Sequence, residues 1–582
     1  MNINRIVELL EDLKSDDVRK RLVAVKNLDK ITDALGPEKT RATFLPFLKE
    51  YEDDEEEVMV EIARQLLPLG KFIHDGGSGV LELLPYFYIF LSYEDNSVIN
   101  QAFRSLEGLI KAFNINNEAV LQLAKKLQGM SSSKAQVSAS RICCLLPHAI
   151  PTKFSPDITR MISDCAGHKA CIVRKETAVA LRNLLDEASP FESLASGLLK
   201  KFLKDSQESV RVAAAESIAH RRFPKPYFTA TFLPSMMQLF ELKSWKTKWV
   251  LAATIGNSLG SVQTTAKKPL LQAFAKLVGD PEIEVSTRAI ESFKELAGIL
   301  EPEDAVVLLN TAKPFLTHEN LDIRKVIAKS APHLAPLCTQ GQANDFLKEL
   351  VMTLLKDESA EVKSILMSNA EPLTRAFTSA QLSAIFSAHL LEHLADKNWK
   401  VRKDTLTCLE VLCSKLGEAF ASEERIVKAI KERLSDRVFE VRTTMISVLR
   451  NLASSLGREW TDRICLPIFW SFVSNGNYLY RLSYVFGVKE LQSVLSPPHL
   501  LKESETLLKL AKDPVANVRV QAVIALVRIA RQLDEKTLDD KLLNVMKDLE
   551  ADNDSDVQRV VTRNGATGIK QIAARLSELK IL

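Results

Sequence analysis

One short turn pattern recurs along the whole 582-residue chain and constrains its fold more than any other feature. Each copy has acidic or polar residues in a turn, then an aliphatic residue that is often followed by Arg or Lys, as in 207–211 and 513–519. The aliphatic marker stands at Val18, Val58, Val98, Val137, Val173, Val210, Thr247, Val285, Ile323, Val362, Val401, Val441, Tyr480, Val518 and Val557. The gaps lie between 36 and 40 residues, with a mean of (557 − 18)/14, or 38.5. A period this regular over fifteen copies predicts a repeat architecture without an inserted catalytic domain.

Each repeat predicts two helices joined by the polar turn. The inward positions after Val401 are Thr405, Cys408, Leu409, Leu412 and Leu416. These offsets of four, seven, eight, eleven and fifteen residues define one apolar stripe on an α-helix. A second amphipathic stretch precedes each marker, for example residues 382–394. Because one helix pair cannot bury its stripe alone, the pairs must stack, and the predicted fold is an all-α, α-α superhelix (solenoid) of about fifteen repeats in a single domain, residues 1–582.

The composition of the turns predicts contacts between successive repeats. The residue after the marker is Arg or Lys in ten of fifteen repeats, and the turns are rich in Asp and Glu. Stacking should bring each base near the turn acid of the neighbouring repeat, which predicts a ladder of partly screened ion pairs along one edge. Pairs of that kind contribute about 0.2–1 kcal/mol each.

Charge and cysteine usage limit the class of protein. The 77 Lys and Arg residues nearly balance the 74 Asp and Glu residues, which argues against a dedicated nucleic-acid binder. Most of the eight cysteines lie inside apolar helical runs, as reduced core thiols do. The N-terminus carries acids where a signal peptide would be apolar, and the most apolar segment, 80–93, is broken by Glu82 and Pro85. We therefore expect no membrane partner and a cytoplasmic protein, with the nucleus as a second compartment.

Two arrangements of metal-ligand residues raise the question of an enzyme. His389 and His393 lie in an H-x-x-E-H sequence that is known from metallopeptidases, but a catalytic zinc needs a third ligand and a pocket. The segment 165–171 contains two cysteines and a histidine at a spacing that fits no zinc module. Because the first lies in the ordinary phase of the repeat, we expect solvated polar positions on a helix there. For the second we expect an inert loop and helix start, and for the chain no metal and no cofactor.

Helix pairs with this period and a D-x-V-R turn resemble HEAT repeats. Five turns are more specific, namely 243–246, 396–402, 456–460, 477–481 and 513–519. Their order and spacing are similar to those of the scaffold (A, 65 kDa) subunits of type 2A serine/threonine protein phosphatase. The resemblance is clearest in the C-terminal third, and the first six repeats match only as a pattern.

The resemblance implies a scaffold without catalytic activity of its own, which is not an obligate homo-oligomer and has two protein partners. Residues 378–582, repeats 11–15, would bind a phosphatase catalytic subunit, and residues 1–300, repeats 1–7 with the start of repeat 8, an exchangeable regulatory B-type subunit. The implied catalytic-subunit contacts are Trp399, Lys400, Phe439, Tyr478, Tyr480, Arg481, Val515 and Ala516. The implied regulatory-subunit contacts are Arg174, Lys175, Trp245 and Lys246.

The N-terminal turns depart from the family pattern. The fourth turn, 131–138, lacks both the acid and the following base, and Cys171 stands where the family usually has Pro. Lys246 and Lys248 replace the usual arginines, and Lys cannot make the bidentate contacts of Arg. These changes predict a divergent regulatory partner. The alternative function is a transport or assembly adapter that resembles the karyopherin-type HEAT proteins, although those usually have a strongly acidic balance.

Overall fold

A computed structural model describes residues 3–48, 54–73, 79–113, 117–146, 155–186, 189–338, 341–530, 532–533 and 536–562. Within these ranges the regular secondary structure is helical and contains no strand. The predicted all-α solenoid class is confirmed. None of the described helices combines the length and the apolar character needed to cross a membrane.

The chain forms two compact units, residues 1–289 and 290–582. The helices that begin in the first unit are α1 Ile3–Leu13, α2 Val18–Val25, α3 Leu28–Lys39, α4 Leu45–Leu48, α5 Glu56–Phe72, α6 Leu84–Leu91, α7 Asn96–Ala112, α8 Asn117–Gln128, α9 Ser133–Leu145, α10 Ser155–Ala166, α11 Cys171–Leu181, α12 Glu192–Phe202, α13 Glu208–Ala219, α14 Lys225–Thr231, α15 Leu233–Phe240, α16 Trp245–Ser261, α17 Thr264–Val278 and α18 Ile283–Glu291.

The second unit continues the same alternation. Its helices are α19 Phe293–Leu296, α20 Pro302–Ala312, α21 Leu321–Ser330, α22 Gly341–Leu355, α23 Ala360–Ser368, α24 Leu373–Ala376, α25 Ser379–Leu394, α26 Trp399–Leu416, α27 Glu418–Ala421, α28 Glu424–Leu434, α29 Phe439–Leu456, α30 Arg458–Trp460, α31 Leu466–Trp470, α32 Tyr478–Leu491, α33 Pro497–Leu510, α34 Ala516–Ala530 and α35 Lys536–Glu550. Short 3₁₀ segments lie at Gly79–Leu83, Arg182–Leu184, Lys313–Thr317 and Ala331–Leu337, and π turns at Thr40–Phe44 and Thr461–Cys465. Residues 555–562 are helical as well.

Helix α26 shows how the sequence defines a second helix of a repeat. Asn398 caps its start, where the side-chain oxygen accepts a hydrogen bond from the Lys400 N–H at 3.0 Å. Gly417 ends it at φ 83°, a left-handed conformation that costs glycine little. Between these ends the stripe from Val401 to Leu412 is buried, as predicted. Helix α26 packs on α25 of its own repeat and on α29 of the next.

The cap positions correct the register in two repeats. In most repeats the marker lies three residues after the helix cap, as Val173 does after Ala170. In the first repeat the cap is Asp17, so the marker position is Lys20 rather than Val18. In the fourth repeat the cap is Ser132, which places the marker at Ala135, fully buried, rather than Val137. In both repeats a Val lies two residues from the marker position. The sequence prediction chose that Val because it also fits the apolar pattern.

Candidate protein-interaction surfaces

The ladder of ion pairs predicted from the turns is present. In each of its main contacts an arginine binds both the acid of the next turn and two backbone carbonyls of its own turn. Arg402 donates from Nε and Nη2 to the two carboxylate oxygens of Asp436 in the next turn, at 2.7 and 2.8 Å. Its Nη1 donates to the carbonyls of Asp396 and Lys397 in its own turn, at 2.8 and 3.1 Å. The same arrangement occurs at Arg21–Asp54, Arg174–Asp205, Arg324–Asp357, Arg481–Asp513 and Arg519–Asp552. We call each such contact between successive repeats a closed junction.

Burial makes these pairs stronger than the sequence predicts. The side chains of Arg402 and Asp436 are only 6% and 4% exposed, so solvent screens them little. Burial works to raise the pKa of Asp436, but the hydrogen bonds from Arg402 and from the Val438 N–H outweigh it and hold this pKa below its ordinary value. The prediction of partly screened pairs is therefore wrong for this junction. Removing one partner of a buried pair costs about 3–5 kcal/mol, well above the value for a surface pair.

Two residues of the predicted contact set are members of the ladder. Arg174 binds Asp205 through two hydrogen bonds of 2.8 and 2.9 Å, and the Asp205 carboxylate raises the pKa of the guanidinium. Arg481 binds Asp513 in the same way at 2.6 and 2.9 Å. Both guanidinium groups are thus engaged within the chain, and the predicted partner contacts of Arg174 and Arg481 stay predictions. In the first repeat the ladder base is Arg21, not Arg19, as the corrected register requires.

Three aromatic residues lie at one structurally equivalent position in successive repeats of the second unit. Trp399, Phe439 and Tyr478 are the first residues of α26, α29 and α32. Phe439 is 50% exposed and Tyr478 42%, whereas Trp399 is half-buried. Since α26 packs on α29 and α29 on α32, their first turns follow one another along one edge. We call these three residues the aromatic edge.

The other predicted catalytic-subunit contacts differ in exposure. Lys400 is exposed beside the aromatic edge. Tyr480 turns inward, and its ring lies edge-on to Phe472 with the centroids 5.2 Å apart. Val515 and Ala516 are half-buried at the start of α34. Of this group, Lys400 is the residue that a partner reaches most easily.

The first unit has a smaller aromatic patch in the seventh repeat. Trp245, the first residue of α16, is 45% exposed, and the Lys246 ammonium lies 5.7 Å from the centre of its ring. Trp249, one helical turn further on, is 39% exposed, and the Arg288 guanidinium is 5.7 Å from its ring. Sequence reasoning missed Trp249, although a spacing of four residues from Trp245 signals a shared helix face. Lys175 is partly exposed and has Glu176 at 3.6 Å.

Sequence reasoning also missed an extension of the aromatic edge. Phe486 of α32 meets Phe439 edge-on, with the ring centroids 6.1 Å apart. The Lys489 ammonium lies 4.6 Å from the centre of the Phe486 ring, and burial is the main cause that lowers its pKa. A long-range pair of this kind leaves no local signal, because it joins helices of different repeats.

The H-x-x-E-H segment lies on α25 without the surroundings of a metal centre. His389 and His393 have ring centroids 6.1 Å apart. The prediction of solvated positions is wrong for His393, which is 1% exposed on the buried face of α25 and has an unbonded Nε2. Burial and then the Lys363 charge lower the pKa of His393, which keeps the ring neutral. Within the described part of the chain, no group of three or more His, Cys, Asp or Glu side chains could hold a metal ion.

Two family models match parts of the chain. Residues 338–455 match the middle domain of PIK3R4-like proteins, and residues 505–533 match the HEAT repeat. Each covers less than half of the chain, and both lie in the second unit.

The curated relatives are phosphatase subunits. The chain is 27% identical over 319 residues to the regulatory A subunit of protein phosphatase PP2A from Saccharomyces cerevisiae, which is 51% of this chain and 44% of that protein. It is 34% identical over 140 residues to the alpha isoform of the 65 kDa regulatory A subunit of phosphatase 2A from Arabidopsis thaliana, 24% of each chain. It is 36% identical over 106 residues to the beta isoform from Homo sapiens, 18% of this chain and 17% of that one. The matches thus span less than half of these relatives' lengths.

Solved structures support the fold class. A structure of Kap95p with RanGDP covers 97% of this chain and 77% of that one, with a TM-score of 0.61 at 12% identity. A structure of Kap121p bound to Pho4p covers 95% and 60%, with a TM-score of 0.56 at 13% identity. At such low identity these likenesses show a shared helical solenoid and nothing of function. The chain is a helical solenoid that matches the HEAT repeat at residues 505–533 and is similar in sequence, over part of its length, to the A (scaffold) subunits of protein phosphatase 2A.

Proposed function

We propose that this protein is the non-catalytic scaffold of a type 2A Ser/Thr protein phosphatase, which holds the catalytic and regulatory subunits together. The observation that carries the proposal is the aromatic edge, Trp399, Phe439 and Tyr478, in three consecutive repeats. Similarity to proteins named as phosphatase A subunits supports a phosphatase catalytic subunit as the partner of that edge.

The aromatic edge has the features of a binding site for a folded protein. Large aromatic side chains with basic neighbours dominate the energetics of protein interfaces, and Lys400 and Lys489 lie beside these rings. Each turn that presents a ring is closed by its own arginine, since Nη1 of Arg402, Arg442 and Arg481 donates to two backbone carbonyls of that turn. The catalytic subunit would therefore bind a preorganised row of rings, which reduces the entropy lost on binding.

The regulatory subunit is assigned to the first unit, where Trp245, Lys246 and Trp249 form the exposed patch. The scaffold would act by raising the effective concentration of one partner near the other. In this mechanism the regulatory subunit selects the substrate, and the catalytic subunit supplies all of the chemistry.

Replacement of both outer rings tests the proposal. The double substitution Trp399→Ala with Tyr478→Ala should keep the helical circular dichroism of the wild type, because both side chains lie at helix starts outside the buried stripe. Its affinity for a type 2A catalytic subunit, measured by surface plasmon resonance or a pull-down titration, should fall at least ten-fold. The matched control is Leu501→Ala on α33, which removes a 38% exposed apolar side chain away from the edge and should leave this affinity unchanged.

Two results would contradict the proposal. Equal affinity of the folded double variant and the wild type would remove the aromatic edge from the catalytic-subunit interface. Recovery of transport factors, without any phosphatase, on the tagged chain from its own cells would favour the adapter function instead.

A further inference from the structure

The junction between the sixth and seventh repeats lacks its acid. Arg211 closes its own turn in the usual way, with Nη1 donating to the carbonyls of Asp205 and Ser206 at 2.7 and 3.0 Å. The Nε of Arg211 is buried and has no hydrogen-bond partner. In a closed junction this is the atom that donates to the carboxylate of the next turn, as Arg402 does to Asp436.

A change in the seventh turn explains the missing partner. The ladder acid stands six residues before the base of its own repeat, as Asp205 stands before Arg211. The base of the seventh repeat is Lys248, which binds Asp280 at 2.7 Å, so the acid position is Leu242. Leucine offers no acceptor, and Arg211 has no ion-pair partner among the described residues.

The turn also retains the second donor of a carboxylate site. In closed junctions the acid accepts a hydrogen bond from the N–H two residues further on, as Asp205 accepts from Gln207 at 2.9 Å. The equivalent N–H in the seventh turn belongs to Ser244, whose side chain is engaged elsewhere, on Glu208 and the Thr247 N–H. The seventh turn thus has both donors, Arg211 Nε and the Ser244 N–H, but lacks the carboxylate that accepts from them in a closed junction.

The charges around this position favour an anion. Lys243 and Lys246 are exposed on the same turn, and Trp245 beside them is 45% exposed. The acid that faces the position from the neighbouring helix is Glu208, which is engaged with the Ser244 and Thr247 hydroxyl groups. The other nearby carboxylate, Glu241, is exposed and lies 3.4 Å from Lys276. Arg211, Lys243 and Lys246 therefore outnumber the two carboxylates near the position.

We propose that the acid position occupied by Leu242 is a binding site for an acidic side chain, Asp or Glu, of a partner protein. The partner's carboxylate would displace the half-buried Leu242 side chain, accept from the Arg211 Nε that this exposes and from the Ser244 N–H, and so complete the junction in trans. Trp245 would pack beside the inserted chain, and Lys243 and Lys246 would attract it. This inference rests on the proposed function, because the site lies within the region assigned to the regulatory subunit, and it defines what that subunit presents.

The decisive variant is Leu242→Asp, which supplies the acid within the chain and so competes with the partner. Leu242→Asn is the matched control, because it has nearly the same shape without the charge. We expect Leu242→Asp to melt at a higher temperature than Leu242→Asn, and its affinity for a type 2A regulatory B-type subunit should be at least ten-fold below that of the wild type. Binding of the catalytic subunit should stay unchanged, since its assigned surface lies in the second unit.

A probe without any phosphatase subunit separates this inference from the proposed function. Isothermal titration of the full chain with a tetraglutamate peptide should show binding that is at least five-fold weaker in Leu242→Asp, with tetraglutamine as the neutral control. Equal binding of tetraglutamate to the wild type and Leu242→Asp, or no binding to either, would overturn the site. Peptide binding that follows the expected pattern while no regulatory subunit binds the wild type would keep the site and contradict the proposed function.

Discussion

Two neighbouring junctions of the second unit differ by a single functional group. At Arg402 the next turn supplies Asp436, and the pair is closed. At Arg442 the next turn supplies Asn475, and no ion pair forms within the described residues, although Arg442 is only 7% exposed. Arg442 still donates to two carbonyls of its own turn, at 2.7 and 3.2 Å. The difference shows that closing the turn and pairing with the next repeat are separate tasks of one side chain.

The acid also has two separable tasks. Asp436 accepts from the Val438 N–H at 2.9 Å, and Asn475 accepts from the Asn477 N–H at the same distance. Where the preceding repeat has no cation at the base position, a histidine can replace the turn acid. His318 accepts through Nδ1 from the Asn320 N–H at 3.0 Å, and the preceding repeat has Ser286 in the place of the base. Any of these acceptors can cap the turn, but only the acid also pairs with a base.

The largest expected effect comes from opening the closed junction. Asp436→Asn retains the cap but leaves the buried Arg402 without its counter-charge, so we expect a loss of about 3 kcal/mol in the free energy of unfolding. Urea denaturation followed by circular dichroism measures it. Asp548→Asn is the matched control, because its pair with Lys512 is 65% exposed on both sides and should contribute less than about 1 kcal/mol. Equal effects of the two substitutions would show that burial does not distinguish the pairs.

The converse substitution should close the open junction. Asn475→Asp keeps the cap and gives Arg442 a carboxylate, for which we expect a gain of about 2 kcal/mol, typical of a charge-assisted hydrogen bond. Burial lowers the pKa of Arg442 in the wild type. An adjacent carboxylate would raise this pKa, because it stabilises the charged guanidinium. The same urea titration provides the measurement. A variant as stable as the wild type, or less stable, would show that the turn cannot bring the acid within reach of Arg442.

Acidity should weaken the closed junctions progressively. The hydrogen bond from Arg174 lowers the pKa of Asp205, and that from Arg519 lowers the pKa of Asp552. A lowered folded pKa means that the stabilisation is complete above the unfolded value of about 3.9 and is lost as the pH falls through the folded value. Each unit of lowering corresponds to about 1.4 kcal/mol.

Comparison of two pH values isolates this contribution. We expect Asp205→Asn to reduce the difference in unfolding free energy between pH 7 and pH 3 by about 1 kcal/mol relative to the wild type. Asp548→Asn again serves as the exposed control. A pH dependence that is identical in the wild type and Asp205→Asn would contradict the assignment of acid sensitivity to the junction.

The amino-acid sequence by itself determined the repeat, because a stripe at offsets of four, seven, eight, eleven and fifteen residues can be buried only by stacking helix pairs. It also predicted the aromatic residues at the first position of α26, α29 and α32, and the presence of a ladder. These features depend on local spacing, which a single chain segment displays.

Only the tertiary structure decided which cations are engaged within the chain. In the sequence, Arg174 and Arg481 are basic turn residues in the same way as Lys175 and Lys400. In the structure, however, each of the two arginines binds an aspartate more than thirty residues away. The helix caps decided the register in the first and fourth repeats. The apolar pattern could not decide it, because Val18 and Val137 satisfy that pattern although each lies two residues from the marker position. The missing partner of Arg211 became visible in the same way, because the identity of an arginine's counter-ion depends on packing between repeats rather than on the turn that carries the arginine.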